Sequence, residues 1–82
     1  MDGIQKAAEG LRLIEEAIVE TLAAHPDGLY NSELARALEL ESKHGGKHDN
    51  YLTYSVLGGL LAKERVSSEK REGRVYYRLA EA

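Results

Sequence analysis

The chain has 82 residues, with 11 basic and 14 acidic side chains and a formal net charge of −3. A chain of this length forms one small domain, which buries about 60% of the surface of its unfolded form. The sequence contains no cysteine, which excludes a disulfide scaffold, thiol catalysis and cysteine-containing zinc sites. The net negative charge, taken alone, argues against a nucleic-acid partner.

Hydrophobic segments give no sign of a membrane protein. No apolar run approaches the roughly 18 residues that a transmembrane helix needs, and the N-terminus lacks the basic-then-apolar order of a signal peptide. We therefore expect an intracellular, cytoplasmic protein with no membrane partner.

The charges are unevenly distributed along the chain. Residues 1–42 hold three basic and nine acidic side chains, a balance of −6, whereas residues 43–82 hold eight basic and five acidic ones, a balance of +3. Only the C-terminal half therefore suits a polyanion. The charges on a solvated surface without a partner can also be unevenly distributed. The charge alone therefore does not distinguish a polyanion-binding surface from a solvated one.

The first predicted element is a helix over residues 3–24, with Asp2 as its N-terminal cap. Pro26 and Gly28 end it. Its apolar residues recur at the spacing of one helical face. They are Ile4, Ala7, Ala8, Leu11, Ile14, Ile18 and Leu22.

A second, shorter helix is predicted over residues 31–40, capped by Asn31 or Ser32 and with Leu34 and Leu38 on its apolar face. Residues 41–49 contain paired glycines and no apolar residue, which predicts a loop.

The third predicted helix covers residues 50–64, with Asp49 or Asn50 as its cap and a leucine-rich buried side. Gly58 and Gly59 lie in its middle, where each costs about 1 kcal/mol relative to alanine. This cost indicates a close approach at the glycines, either by a neighbouring helix or by the backbone of a ligand.

After this helix the apolar period changes to two, which predicts a β-hairpin over residues 65–79 with Gly73 in its turn. Tyr76 and Tyr77 must point to opposite faces of the hairpin, so one is expected in the core and the other partly exposed. Arg78 is expected to pair with an acidic residue.

Three helices followed by a two-stranded hairpin resemble the winged helix-turn-helix domain, and three short sequence segments support the resemblance. Ser-Glu-Leu-Ala at 32–35, Leu-Thr-Tyr-Ser-Val-Leu-Gly-Gly-Leu-Leu at 52–61 and Arg-Val-Tyr-Tyr-Arg-Leu at 74–79 are similar to the second helix, the recognition helix and the closing wing strand of that family. The second of these segments also resembles, more weakly, winged-helix domains found beside restriction-modification nucleases. The loop at 41–49 is longer than the family's usual connection.

The resemblance implies a mainly α fold with a small β-hairpin, a single winged-helix domain whose third helix enters the DNA major groove. The early exposed residues of that helix would then meet base edges: Asn50, Thr53, Tyr54 and Ser55. Gly58 would let the phosphate backbone come close. Asn50 can equally be only a cap, and Thr53 can equally face the core.

The resemblance also implies that Lys70, Arg71 and Arg74, around the hairpin turn, contact phosphates or the minor groove. The other reading of these three residues is a solvated hairpin tip.

Basic residues in the loop before the third helix are a further candidate for phosphate contact: Lys43, Lys47 and His48. A plain solvent loop is the alternative. His44 and His48 have the spacing of a metal-binding pair, but the intervening glycines disfavour a helical geometry and no third ligand is evident. No metal and no cofactor are expected.

The sequence shows no phosphate-binding loop, no cysteine nucleophile and no carboxylate pair in an evident cleft. We therefore expect a binding module and not an enzyme. It would bind double-stranded DNA as a transcriptional regulator or as the DNA-reading domain of a larger protein, with a homodimer through the first helix as a possible assembly. The alternative is a protein–protein interaction winged helix that uses the acidic first helix and does not bind DNA.

Overall fold

The computed structural model describes residues 2–41 and 50–80. Its helices are α1 (Gly3–Ala23), α2 (Asn31–Ala37) and α3 (Tyr51–Ala62), and its strands are β1 (Leu29–Tyr30), β2 (Val66–Arg71) and β3 (Arg74–Leu79). The three predicted helices and the predicted hairpin are thus confirmed. The sheet has one more strand than predicted, and the predicted loop at 41–49 lies, except for residue 41, outside the described residues.

Helix α1 begins as predicted. Asp2 accepts a 2.8 Å hydrogen bond from the Gln5 backbone N–H, and the Gln5 side chain accepts one from the Asp2 N–H, so the first turn is closed reciprocally. The apolar stripe is buried only in the C-terminal half of the helix, where Ile18 and Leu22 enter the core. Ile4, near the start, is 82% exposed.

The three strands form an antiparallel sheet in the order β1-β3-β2. The two-residue strand β1 pairs Leu29 with Tyr77, and it is too short to show any apolar period in the sequence. Gly28 precedes it with φ +93°, and a Cβ at this position would lie 3.0 Å from the Tyr77 carbonyl oxygen. Glycine is therefore needed for β1 to reach β3.

Helix α2 starts at Asn31, with Tyr30 in the cap position. The predicted caps, Asn31 and Ser32, are therefore wrong: the Glu33 carboxylate accepts a 2.8 Å hydrogen bond from the part-buried Tyr30 N–H and closes the first turn instead. The helix ends earlier than predicted, and Glu39 follows it with a left-handed φ of 56°.

Helix α3 is also shorter than predicted, because Asn50 and Glu64 have left-handed φ angles of 60° and 59° at its two flanks. The Asn31 side-chain amide donates to the Asn50 carbonyl at 3.2 Å. This bond ties the start of α2 to the start of α3 and fixes how the two helices meet.

One hydrophobic core joins all three helices to the sheet. Its buried members are Ile18, Leu22, Leu34, Val56, Leu57, Leu60, Val66 and Tyr77. Tyr77 is thus the inward tyrosine of the predicted pair, whereas Tyr76 is half-buried on the opposite face of the sheet.

Helices α1 and α3 are also linked by an ion pair that the sequence did not predict. The Lys63 Nζ lies 2.7 Å from a carboxylate oxygen of Glu15, whose side chain is only 11% exposed. This contact fixes the end of α3 against the middle of α1.

Candidate nucleic-acid interface

The exposed side of α3 is a stripe of residues spaced three and four apart, opposite the side that packs into the core. We call it the α3 stripe; it consists of Tyr51, Tyr54, Ser55, Gly58 and Ala62. Tyr51 and Tyr54 are 57% and 58% exposed. Exposed aromatic side chains on a helix surface offer apolar area that a binding partner can cover.

The structure corrects one of the residues predicted to contact bases and places another at the start of α3. Thr53 is completely buried, and its hydroxyl donates to the Asn50 carbonyl at 3.0 Å, so the prediction that Thr53 meets a base edge is wrong. Asn50 is only partly exposed, and its carbonyl accepts from both Thr53 and Asn31. Its backbone therefore organises the start of the helix.

Tyr51 is a stripe residue that sequence reasoning missed. The helix begins with it, and it precedes Tyr54 and Ser55 by three and four residues, which puts the three side chains on one face. The spacing alone could have identified Tyr51, once Thr53 was assigned to the core.

The two glycines of α3 are not required by packing inside the protein. A Cβ built at Gly58 or Gly59 meets no atom within 4 Å among the residues described. A close approach by a neighbouring helix, one of the two predicted explanations, is therefore excluded for this part of the chain. Gly58 lies in the stripe, whereas Gly59 lies at its flank.

Helix α3 carries no charged side chain between Asn50 and Ala62. The stripe therefore neither attracts nor repels a polyanion strongly, and any charge attraction has to come from its surroundings.

The hairpin beside α3 has two chemically different faces. Lys70 pairs across the ladder with Val75, and Ser68 pairs with Tyr77, so Lys70 lies on the same face as the core tyrosine. Burial raises the pKa of Tyr77, with a smaller contribution from the neighbouring Tyr54 hydroxyl. Lys70 therefore lies on the face of the hairpin that α3 approaches.

The two other predicted wing residues, Arg71 and Arg74, pair with each other on the opposite face. There the rings of Tyr30 and Tyr76 contact each other, with centroids 3.9 Å apart and planes tilted by 36°. The Arg74 guanidinium lies 3.5 Å from the centroid of Tyr30, and that of Arg71 lies 4.4 Å from the centroid of Tyr76. Lys70, Arg71 and Arg74 thus do not form one continuous surface, as their closeness in sequence had implied.

Hydrogen bonding supports the tyrosine pair. A hydrogen bond with Tyr30, followed by burial, raises the pKa of the Tyr76 hydroxyl. Tyr76 therefore stays neutral at physiological pH, and the faces of the two rings are a suitable surface for two guanidinium groups.

Only part of the basic charge in the hairpin is available to a partner. Glu69 contacts Arg71 at 3.0 Å and Arg78 at 3.6 Å, which confirms the predicted pairing of Arg78. The hydrogen bond from Arg71 lowers the pKa of Glu69, so the carboxylate is charged at neutral pH. Within residues 2–41 and 50–80, Lys70 and Arg74 have no carboxylate within 4.0 Å.

The predicted contacts of Lys43, Lys47 and His48, and the weighed metal pair of His44 and His48, lie outside the described residues. Among the residues that are described, no group of three or more potential ligands lies close enough to hold a metal ion. In the same part of the chain, no helix combines the length and hydropathy needed to cross a bilayer.

A shallow open groove lies between the C-terminal end of α1 and the base of the hairpin. It is lined by Leu22, Ala23, Pro26, Ser67, Arg78 and Leu79. Its one charged residue, Arg78, is engaged by Glu69, which leaves the groove without an uncompensated charge to bind an ionic ligand.

The chain was also compared with known proteins. No family model matches it, and neither a curated protein nor a solved structure does.

Proposed function

We propose that the protein is a winged-helix module that binds double-stranded DNA, with α3 in the major groove and the hairpin on the phosphate backbone. The observation that carries the proposal is the α3 stripe, uncharged and exposed, beside a hairpin on which Lys70 and Arg74 have no carboxylate partner within the described residues. The order of helices and strands and the β1-β3-β2 sheet support the fold part of the proposal.

The stripe offers the chemistry of base recognition. The Ser55 hydroxyl can donate to or accept from a base edge, and the Tyr54 ring can contact a thymine methyl group. Gly58 leaves open space at the centre of the stripe, where a sugar-phosphate backbone can approach closely. The module would act as a transcriptional regulator or as the DNA-reading part of a larger protein, and it has no catalytic role in this proposal.

Charge supplies the remaining affinity. Lys70 and Arg74 have no carboxylate within 4.0 Å in the described residues, since Glu69 contacts Arg71 and Arg78 instead. Each phosphate that a cation neutralises releases counterions and contributes to the salt dependence of binding.

The test is titration of labelled duplexes of varied sequence at several salt concentrations. We expect K70A/R74A to weaken binding to every sequence and to flatten the slope of log K against log salt by about two. The control, R65A, removes another exposed cation that has no carboxylate within 4.0 Å in the described residues, and should leave the slope unchanged. Y54A and S55A should alter the ranking of sequences. No binding to any duplex at low salt would refute the proposal.

A second candidate function is favoured by one observation, the exposed N-terminal half of α1. We propose that this half of α1 pairs with the same segment of a second copy of the chain, whether or not the protein also binds DNA. Ile4 and Leu11 continue the buried stripe of Ile18 into solvent, with 82% and 47% of their surface exposed. An antiparallel crossing centred between Ala7 and Ala8 would place Ile4 against Leu11.

The charges agree with this crossing. The same antiparallel register would place Lys6 of one copy beside Glu9 of the other, so that charges of opposite sign meet at the edge of the contact. Ala7 and Ala8 are small and would let the two helices come close. If both copies also bind DNA, the sites should be palindromic.

A further inference from the structure

The outer face of the sheet holds two arginines, Arg71 and Arg74, that differ in their contacts within the protein. Arg71 is used within the protein: it donates to the Asp27 carbonyl oxygen at 3.3 Å and to the Glu69 carboxylate at 3.0 Å. Arg74 lies 3.5 Å above the Tyr30 ring and, among the described residues, has no hydrogen bond or ion pair.

We propose that Tyr30 is a positioning residue that holds the Arg74 guanidinium ready for one phosphate of the bound DNA. This inference rests on the proposed DNA-binding function and names the residue that makes the wing cation specific in geometry. Arg74 contacts the ligand in this proposal, whereas Tyr30 acts only through Arg74.

Stacking on a ring suits this role for a geometric reason. A guanidinium that lies flat on a ring keeps its N–H donors in its own plane, directed away from the ring and towards solvent. Those donors form the planar fork that matches two oxygens of a phosphate. A free arginine side chain must lose considerable rotamer freedom to bind in this way, and in this proposal the contact with the Tyr30 ring reduces that loss.

The support beneath Arg74 is itself well fixed. The Tyr30 ring contacts the Tyr76 ring, with centroids 3.9 Å apart, and β1 pairs Tyr30 with Tyr76 in the ladder. The Tyr30 backbone N–H is held by Glu33 at the start of α2. The ring is therefore anchored by strand pairing, ring contact and a helix start at once.

The first experiment compares duplex binding by R74A and by its matched control R65A. Arg65 is also exposed and, within the described residues, also has no carboxylate within 4.0 Å, but no aromatic ring is recorded beneath it. We expect R74A to weaken binding about three- to tenfold and to flatten the salt slope by about one, and R65A to do neither.

Two further variants separate position from charge. R74K keeps the positive charge but lacks the planar fork, and it alters no core contact, so it should keep the salt slope while losing affinity. Y30L should likewise keep the salt slope and lose affinity, because Arg74 is still present without its ring contact. Y30F keeps the ring and should bind DNA as the wild type does. Thermal unfolding of Y30L shows whether its loss reflects the fold.

An independent readout needs no DNA. The Nε–Hε group of Arg74 should show restricted motion by nitrogen-15 relaxation in the wild-type protein and in Y30F, and motion as free as that of Arg65 in Y30L. The inference is overturned if Arg74 is as mobile as Arg65 in the wild type, or if R74K binds DNA as the wild type does. If no variant and no wild type binds any duplex, the proposed function itself fails.

Discussion

At the scale of single residues, the buried carboxylate of Glu15 shows how a long-range partner changes the role of a side chain. In the sequence Glu15 is one of a pair of adjacent acidic residues on α1, indistinguishable from Glu16. In the structure Glu15 is buried and contacts Lys63, whereas Glu16 is exposed and contacts Arg12 within the same helix. Burial makes the first pair the more consequential one.

We predict that K63A lowers the free energy of unfolding by about 1–2 kcal/mol, because it leaves the buried Glu15 carboxylate without its partner. Urea unfolding measures the change. E15A/K63A should recover part of the loss, since the double variant leaves no unpaired charge, and the cycle of four proteins gives the coupling between the two residues.

The control for that prediction is R12A. Arg12 forms exposed ion pairs with Glu9 and Glu16 one turn away on α1, and such pairs contribute little to stability. We expect R12A to change the free energy of unfolding by less than about 0.5 kcal/mol. Equal losses in K63A and R12A would show that the α1–α3 ion pair has no special structural role.

At the scale of the element, α3 combines a good hydrophobic face with an apparent defect, the glycine pair. Glycine in a helix interior is destabilising relative to alanine, and here no described atom of the protein lies close enough to forbid a Cβ. The glycine pair thus has no structural explanation within the described residues, and we propose close approach by a ligand as its functional explanation.

We predict that G58A raises the free energy of unfolding by about 0.5–1 kcal/mol, since its Cβ enters open space and alanine is the better helix former. The same variant should weaken duplex binding, because the methyl group lies at the centre of the α3 stripe. Thermal unfolding and DNA titration on one preparation measure both effects.

G59A is the matched variant for this experiment. Its Cβ also enters open space, but it lies at the flank of the stripe, so it should stabilise the protein equally and bind DNA as the wild type does. If G58A and G59A bind equally well, then DNA does not approach the helix at Gly58.

The sequence identified α3 and most of its orientation but misplaced one contact residue. The leucine spacing was enough to locate the buried side, and Tyr54 and Ser55 are exposed as expected. The sequence did not decide whether Thr53 faces the core or the solvent, because no helical turn precedes it from which the buried face could be extrapolated. Tertiary packing places Thr53 in the core, where its hydroxyl donates to the Asn50 carbonyl at the junction of α2 and α3.

At the scale of the whole molecule, α1 extends beyond the core that it helps to form. A 21-residue helix is about 31 Å long, and its buried residues lie between Glu15 and Leu22. Ile14 packs partly against the core, but the apolar positions before it remain exposed on the surface of a single copy.

We predict that the protein forms a dimer through this half of α1 and that L11E converts it into a monomer without unfolding it, since Leu11 is half-exposed and its replacement disturbs no core contact. L13E is the control: Leu13 is 52% exposed but lies on the opposite face of the helix, so this variant should stay dimeric. Analytical ultracentrifugation distinguishes the two states. A wild-type protein that is monomeric at high concentration would contradict the prediction.

The sequence by itself determined the three helices, the hairpin, the opposite orientations of Tyr76 and Tyr77 and the excess of positive charge in the C-terminal half. These features follow from apolar period and composition, which are local properties. Only the tertiary structure decided which cations remain available. On one face of the sheet, Glu69 forms ion pairs with Arg71 and Arg78, and the Arg74 guanidinium contacts the Tyr30 ring. Lys70 lies on the other face. Strand register sets these contacts between residues distant in sequence, so no count of charges along the chain could reveal them.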